Sequence, residues 1–148
     1  MGRALSGLAR RPWAGWIAIA ALLVAAALVS GLTHDESQYV DATALAVYGL
    51  PYRDFAYLQT PLQPLVLAPL AWAFPAQLFL LSRLANALFG LAVAALTFTA
   101  ARRVGTGPRA AWIATVLMVL CHGFLYSSGV ARNDALPAAA LAGALALL

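Results

Sequence analysis

The sequence predicts an all-α, polytopic transmembrane helix bundle, with about four spans and an outer loop that carries a short surface helix. Of its 148 residues, 64% are hydrophobic and only 9% are charged, whereas a soluble domain carries about 25% charged residues. The hydrophobic residues form runs long enough to cross a bilayer, so lipid is the solvent in which this chain can fold. The single cysteine, Cys121, excludes an internal disulfide and a CxxC metal motif.

The first predicted span covers residues 13–32. About 20 residues that rise about 1.5 Å each match the hydrocarbon thickness of about 30 Å. Trp13 and Trp16 stand at its start, where interfacial aromatic residues are typical. A signal peptide is the alternative, but its apolar core usually has about 7–15 residues. The longer run and the further apolar runs behind it favour a retained span.

A polar stretch, residues 33–60, follows this span and holds four of the five acidic residues. Thr33 and Glu36 fit a capping box, which predicts that a helix begins there. Gly49 and Pro51 are a typical helix stop. The polar and apolar faces of this helix suit a position along the membrane surface.

The remaining sequence is divided by prolines and by a basic turn. Four prolines interrupt residues 60–76, which predicts a short interfacial or re-entrant piece rather than a span. Further spans are predicted at about 77–101 and 110–126. The last run, 135–148, is shorter than the roughly 20 residues that a crossing needs. We therefore predict a single membrane domain that ends inside an incomplete fourth span, as the N-terminal fragment of a larger fold.

The basic residues, all of them arginine, predict the topology. Six of the nine lie in the N-terminal segment or in the turn at residues 102–109, and such segments face the cytoplasm. The acidic stretch then faces the periplasm or the exterior of a bacterial inner membrane. Because these arginines flank apolar runs, the net charge of +4 indicates membrane lipid rather than nucleic acid as the partner.

Three carboxylates are candidates for chemistry. Asp35 and Glu36 directly follow the first span, and Asp134 directly precedes the fourth, so all three are expected at the same outer face. A carboxylate there could take a proton from a hydroxyl group, and Asp35 with Asp134 could hold a divalent metal. Alternatively, the three residues cap helix N-termini, and the two roles are compatible.

Four further residues are candidates for substrate binding. Arg83 lies inside the second span, so it either reaches toward the headgroups or faces protein, a cavity or an anionic ligand. Arg53 and Arg132 are outer cations that could contact a phosphate. Tyr52 belongs to a group of aromatic residues that form either a membrane belt or a sugar-stacking wall.

Several motifs together resemble the N-terminal part of the GT-C superfamily of polytopic glycosyltransferases, which includes the protein O-mannosyltransferases and the aminoarabinose lipid A transferases. The segments are HDESQYVDATALAVYGLPYRDF, TPLQPLVLAPLAWAF, SRLANALFGLAVAALTFTAARRVGTGPRAAWIA and VARNDALPAAALAG. They are similar to the first outer loop, the proline-rich segment, the second span with its basic turn, and the start of the fourth span. One departure is that Pro61 and Pro64 stand apart where family members usually have a Pro-Pro pair.

The resemblance implies sugar transfer from a polyprenyl-phosphate donor to a hydroxyl acceptor on the outer face. Asp35 falls at the catalytic acidic position, Glu36 is its neighbour in the Asp-Glu pair, and Asp134 falls at the second acidic position. Outer arginines would hold the donor phosphate. No cofactor is specified, although some relatives use a divalent metal. Because family enzymes have many more spans, the 148-residue chain is expected to be inactive by itself.

Two other classes of protein fit part of the pattern. A transporter fragment would explain the spans and Arg83, but not why the acidic residues cluster in an outer loop rather than within spans. A non-catalytic small membrane protein would explain the composition alone.

Overall fold

The computed structural model describes residues 12–147, and the regular secondary structure in that range is helical. In chain order the elements are α1 (Pro12–Val29), α2 (His34–Leu45), α3 (Leu62–Ala73), a 3-10 turn (Pro75–Gln77), α4 (Leu78–Arg103), α5 (Pro108–Leu120), α6 (His122–Gly129) and α7 (Ala135–Leu147). No strand occurs in this part of the chain apart from one isolated bridge between Pro51 and Phe55. The all-α class is therefore confirmed. The basic N-terminal segment, residues 1–11, lies outside the described residues.

Helix α4 is the centre of the bundle and contacts α1, α5, α6 and α7. The core beside it is built from aliphatic and small side chains of three helices: Ile19, Leu23, Ala27, Ala87, Ala94 and Val119. Gly90 of α4 allows a close approach, since a Cβ atom there would lie 2.5 Å from the Ser128 hydroxyl of α6. Such small residues bring membrane helices together where apolar surface alone cannot drive association.

The lengths of the helices limit how many can cross a membrane. Among the described residues, one helical stretch, Pro75–Arg103, is long and apolar enough alone. Two further spans are possible if each bent pair counts as one, namely α1 with α2, bent by 98°, and α5 with α6, bent by 66°. The count is therefore one to three, against the four that the sequence predicted, with α3 and α7 as shorter apolar helices.

Two predicted segments differ from the structure in detail. The predicted third span, 110–126, is divided at Cys121, whose φ of −63° and ψ of 125° are extended. The proline-rich segment forms a regular 12-residue helix, α3, that begins after Pro61. Pro64 is tolerated in its first turn because the N–H groups there have no helical partner, and Pro69 removes one hydrogen bond further on.

Helix α2 begins as the capping pattern predicts. Thr33 is its extended N-cap, and the Glu36 carboxylate accepts the Thr33 N–H at 3.2 Å. The helix ends at Leu45, and turns lead on to Gly49. Helix α2 packs against α3, so it stands beside the bundle at the end where α1 stops and α4 starts.

Candidate active site

A buried ion pair joins α2 to α4 at this end of the bundle. The Arg83 guanidinium contacts both oxygens of Glu36, with Nε–Oε1 and Nη2–Oε2 distances of 2.8 and 2.7 Å. The Glu36 side chain is 0% exposed and that of Arg83 is 6% exposed. A two-bond contact of this kind is the strongest arrangement available to an arginine and a carboxylate.

The other donors of Arg83 close the end of α1. Nη1 donates to the carbonyls of Ala27 and Ser30 at 3.1 and 2.7 Å, and Nη2 donates to Gly31 at 2.8 Å. With the two bonds to Glu36, all five N–H donors of the guanidinium are used within the protein. Of the alternatives for Arg83, the one in which the charge faces protein is therefore the one found.

Asn86 and Glu36 hold the loop between α6 and α7 in place through hydrogen bonds to its backbone. The Asn86 amide donates to the carbonyls of Val130 and Arg132 at 2.6 and 2.5 Å. The Ala131 N–H donates to Glu36 at 2.7 Å. Because these bonds fix the backbone on both sides of residue 131, they also fix where the Arg132 side chain starts.

Arg132 brings the two predicted acidic positions together. Its Nη1 lies 3.2 Å from Asp35 Oδ2, and its Nε lies 3.1 Å from Asp134 Oδ2. The two carboxylates thus contact the same guanidinium group, although 99 positions separate them in sequence. The expectation that Asp35 and Asp134 meet is confirmed, while their catalytic role remains a prediction.

The surroundings of Arg132 are mixed. Partial burial lowers the pKa of its guanidinium, but Asp134, Tyr39, Tyr126 and Asp35 together outweigh burial and raise it. Its side chain is 27% exposed, and those of Asp35 and Asp134 are 53% and 47% exposed. The cluster is therefore a permanent cation between two carboxylates that a ligand can reach.

The predicted substrate residues Tyr52 and Arg53 lie on a separate turn. Asp54 accepts the Leu50 N–H at 2.7 Å and pairs with Arg53 at 2.7 Å. Arg53 and this N–H hold the pKa of the Asp54 carboxyl below its usual range. A Cβ atom at Gly49 would lie 2.7 Å from the Asp54 Cβ, so the glycine gives the turn its room.

Tyr52 completes this turn in an unusual conformation. Its φ of 68° is the one positive value found for a non-glycine residue in the described chain, and its hydroxyl donates to the Gln59 carbonyl. No described bond links Tyr52 or Arg53 to the cluster around Arg132. The structure therefore unites Asp35, Asp134 and Arg132 and leaves these two residues on a neighbouring loop.

Two buried side chains that the sequence did not single out for the site support it. Asn86 is fully buried, and Gln63 of α3 donates to its side-chain oxygen at 3.3 Å. The sequence carried one signal for Asn86, because a polar amide one turn after Arg83 in an apolar span needs partners. The sequence gave no comparable reason to select Gln63, which stands between Pro61 and Pro64 in a segment that was not predicted to cross the membrane.

A metal site would need more ligands than this cluster offers. Among residues 12–147, no group of three or more His, Cys, Asp or Glu side chains is placed to hold an ion. Arg132 stands between the two carboxylates and contacts both of them. The arrangement can therefore accept a proton at a carboxylate and hold an anion at the guanidinium.

Comparison with known proteins gives the family. The sequence profile of the dolichyl-phosphate-mannose-protein mannosyltransferases matches residues 69–148, more than half of the chain. The match includes Arg83, Asn86, Arg132 and Asp134 and begins after Asp35. No curated protein and no solved structure matches the chain significantly. The chain belongs to the dolichyl-phosphate-mannose-protein mannosyltransferase family, whose members are glycosyltransferases that use a polyprenyl-phosphate sugar donor.

Proposed function

We propose that this chain contributes the proton-accepting and phosphate-holding groups for sugar transfer to a hydroxyl acceptor on the outer face of the membrane. The observation that carries the proposal is the meeting of Asp35, Arg132 and Asp134 at one end of the bundle. A general base and an anion-binding cation are the two groups that this reaction requires from the protein.

The proposed reaction starts with Asp35. Its carboxylate takes the proton of the acceptor hydroxyl as the acceptor oxygen attacks C1 of the donor sugar. The bond between C1 and the phosphate oxygen breaks, and its electron pair stays with that oxygen. The products are the glycosylated acceptor and the polyprenyl phosphate. Asp35 suits the base because its side chain is half exposed, whereas Glu36 is enclosed.

Arg132 is the proposed site for the donor phosphate. Guanidinium groups bind phosphate with two parallel hydrogen bonds and are always charged. Holding this charge in place as the phosphate leaves stabilises the transition state. Asp134 contacts the Nε atom and so orients the guanidinium plane.

Glu36 and Arg83 have a different proposed role. Their donors and acceptors are used on each other, on the end of α1 and on the loop at Ala131. We therefore assign them to positioning rather than to contact with substrate. Glu36 fixes the start of α2, which carries Asp35, and the loop that carries Arg132.

The outer location of the site is supported by the distribution of charge. The acidic end of the bundle holds Asp35 and Asp134. The other end of α4, about 39 Å away for 26 residues at about 1.5 Å each, carries Arg102 and Arg103. By the positive-inside rule the arginine end faces the cytoplasm. Reporter fusions after Arg103 and after Asp54 test this topology, and a cytoplasmic signal at Asp54 would contradict it.

The substitution Asp35→Asn tests the chemical role. Asparagine keeps the shape and helix-capping ability of aspartate but cannot accept a proton as a carboxylate does. In membranes that contain the active enzyme, we expect transfer from a polyprenyl-phosphate sugar to fall by about 100-fold to 10,000-fold. The amount of inserted protein and its thermal unfolding are measured in parallel and should stay unchanged.

The matched control is Asp41→Asn, an identical substitution on the same helix. Asp41 is exposed and has no described contact with Arg132. The transfer rate of the Asp41→Asn variant should therefore depend on pH in the same way as that of the parent protein. Near-normal transfer by Asp35→Asn would reduce Asp35 to a helix cap and would overturn the proposed mechanism.

A further inference from the structure

A groove lies between α4 and α7 at the arginine end of α4. Its volume is about 550 Å³, within the range of about 300–1,000 Å³ that is typical of small-molecule sites. One side is formed by the last turns of α4 and the residue that follows it, and the other side by the end of α7. The lining includes Leu96, Ala100, Arg103 and Val104 on the first side, and Ala142 and Leu145 on the second.

The lining of this groove is apolar apart from two side chains, Thr97 and Arg103. The Thr97 hydroxyl donates to the sulfur of Met118 at 3.4 Å. Arg103 is exposed, and its guanidinium forms no hydrogen bond or ion pair within residues 12–147. Its five N–H donors are therefore available to an anion at one end of the groove.

The basic turn beside the groove has no acidic partner among the described residues. Arg102, Arg103 and Arg109 are all exposed, while the five acidic residues of the chain lie at positions 35–54 and at 134, in segments beside the start of α4. Arg102 donates to the Thr106 carbonyl at 2.6 Å, which does not neutralise its charge. Three like charges therefore stand together, and each arginine near a membrane surface attracts anionic lipid.

Three aromatic rings indicate where this end of the bundle lies in a membrane. Trp16 of α1, Phe98 of α4 and Trp112 of α5 form a cluster with centroid separations of 4.8–5.8 Å. Tryptophan is enriched where hydrocarbon meets the headgroups, and Arg103 lies little more than one turn beyond Phe98. Arg103 thus stands at headgroup level. The α4 side of the groove, residues 96–104, extends about 12 Å from there toward the hydrocarbon core, at about 1.5 Å per residue.

We propose that this groove binds one anionic phospholipid, with its phosphate on Arg103 and one acyl chain between α4 and α7. A guanidinium holds phosphate through two parallel hydrogen bonds, and Leu96, Val104 and Leu145 supply apolar contacts for the chain. Under the proposed topology the lipid belongs to the cytoplasmic leaflet. The site goes beyond sugar transfer, which is proposed for the opposite end of α4.

The charge and the apolar walls together select this class of ligand. A soluble phosphate would use Arg103 but would not cover the apolar walls. A zwitterionic lipid would bring an ammonium group toward three arginines, and like charges repel. An anionic phospholipid matches both parts of the groove. Because it contacts α4 and α7 at once, its binding should also stabilise the bundle against heat.

Lipid titration of the 148-residue chain in detergent micelles tests the proposal. Native mass spectrometry measures the dissociation constant of the first bound lipid, with phosphatidylglycerol and phosphatidylcholine as the two probes. We expect phosphatidylglycerol to bind about 5-fold more tightly or better, the factor that one arginine contributes near an anionic lipid surface. Equal affinities for the two lipids would overturn the proposal.

Arg103→Gln and Arg109→Gln form a matched pair. Each removes one charge from the same basic turn, but only Arg103 lines the groove. We expect Arg103→Gln to weaken phosphatidylglycerol binding by about 5-fold or more, and Arg109→Gln by less than about 2-fold in buffered salt that screens charges outside the site. Arg103→Lys keeps the charge and should retain most of the affinity. Equal losses in the two glutamine variants would show diffuse attraction and would overturn the site.

Two further measurements test the place of the acyl chain. Ala142→Phe fills the groove and keeps every charge, so it should weaken phosphatidylglycerol binding at least as much as Arg103→Gln does. Unchanged binding by this variant would overturn the proposal, and thermal unfolding without lipid shows whether it folds. If it does not fold, the comparison of Arg103→Gln with Arg109→Gln decides.

Competition with a headgroup that has no acyl chain distinguishes a lipid from a soluble anion. Glycerol 3-phosphate should leave the bound phosphatidylglycerol in place, because it cannot occupy the apolar walls. Displacement by glycerol 3-phosphate would assign Arg103 to soluble phosphates and overturn the lipid site. None of these measurements requires transfer, so a failure of the proposed general-base mechanism does not affect their result.

Discussion

Asp35 and Glu36 are adjacent in sequence, yet they belong to two acid–arginine clusters of opposite character. Glu36 is enclosed with Arg83 and accepts bonds from three segments of the chain. Asp35 lies about half exposed and shares Arg132 with Asp134. Successive side chains of a helix point about 100° apart. Glu36 can therefore face the core while Asp35, its neighbour, faces the solvent.

The difference teaches how an acidic pair can divide two tasks. The buried cluster satisfies all five guanidinium donors inside the protein, so it has nothing left to offer a substrate. The exposed cluster is incompletely enclosed, so its charges remain available to a ligand. Stability should therefore depend on Glu36 and Arg83, and chemistry on Asp35, Arg132 and Asp134.

The largest effect on stability is expected for Glu36→Gln. This change leaves the buried Arg83 without its counter-charge, and breaking a buried pair in this way costs about 3–5 kcal/mol. Chemical unfolding in mixed micelles measures the loss of free energy. A change below about 1 kcal/mol would show that the buried cluster is not the support that the comparison requires.

A smaller loss, about 2 kcal/mol, is expected for Arg83→Lys. Lysine keeps the positive charge but offers three donors in place of five. Two hydrogen bonds are therefore lost, and because the Ser30 and Gly31 carbonyls are only partly buried, each loss costs about 1 kcal/mol. The same unfolding assay measures it. A loss equal to that of Glu36→Gln would show that charge alone, without the forked geometry, is not sufficient to hold the site.

The Asn86 side chain links the two clusters, so Asn86→Ala should affect both stability and chemistry. It removes both donors to the carbonyls of Val130 and Arg132, at a cost of about 1–3 kcal/mol. Because the loop then loses its anchor, the KM for the lipid-phosphate donor should rise. An unchanged KM in a destabilised protein would separate Asn86 from the positioning of Arg132.

The smallest effect on stability is expected for Asp134→Asn. Exposed ion pairs contribute about 0–1 kcal/mol and weaken as salt rises. The difference in unfolding free energy between this variant and the parent should disappear as sodium chloride is raised from about 0.1 M to about 1 M, where the Debye length is about 3 Å. The deficit of Glu36→Gln should persist, since its pair is shielded from solvent. A persistent deficit in Asp134→Asn would indicate that both clusters are structural.

The parts of the structure that depend on local patterns could be predicted from sequence. The start of α2 at Thr33, the long α4 and the apolar run of α7 follow from capping, length and composition. The approach of Asp35 to Asp134 followed from their places at the ends of predicted spans. These inferences needed only the order of elements along the chain.

The rest depends on contacts between distant segments. That Glu36 rather than Asp35 meets Arg83 is fixed by the rotation of α2 about its axis, which composition does not specify. The break at Cys121 lies in a largely apolar run without proline, so hydropathy predicts a single span there. The regularity of the helix at residues 62–73 was not predicted, because four prolines in this segment suggest breaks. Pro61 and Pro64 instead fall at the N-cap and in the first turn, where a helix tolerates them, and Pro69 removes only one hydrogen bond.

The bonds from Arg83 to Ala27, Ser30 and Gly31 also set an order of assembly. Arg83 follows these three carbonyls by 52 to 56 residues, so α1 emerges from the ribosome well before the side chain that completes its end. Until α4 arrives, α1 ends in carbonyls without their final donor, and Glu36 lacks its counter-charge. A nascent chain in which α4 fails to insert therefore exposes both defects together at the membrane surface. The ion pair that holds the finished site can thus form only after α4 has been synthesised and has reached α1 and α2.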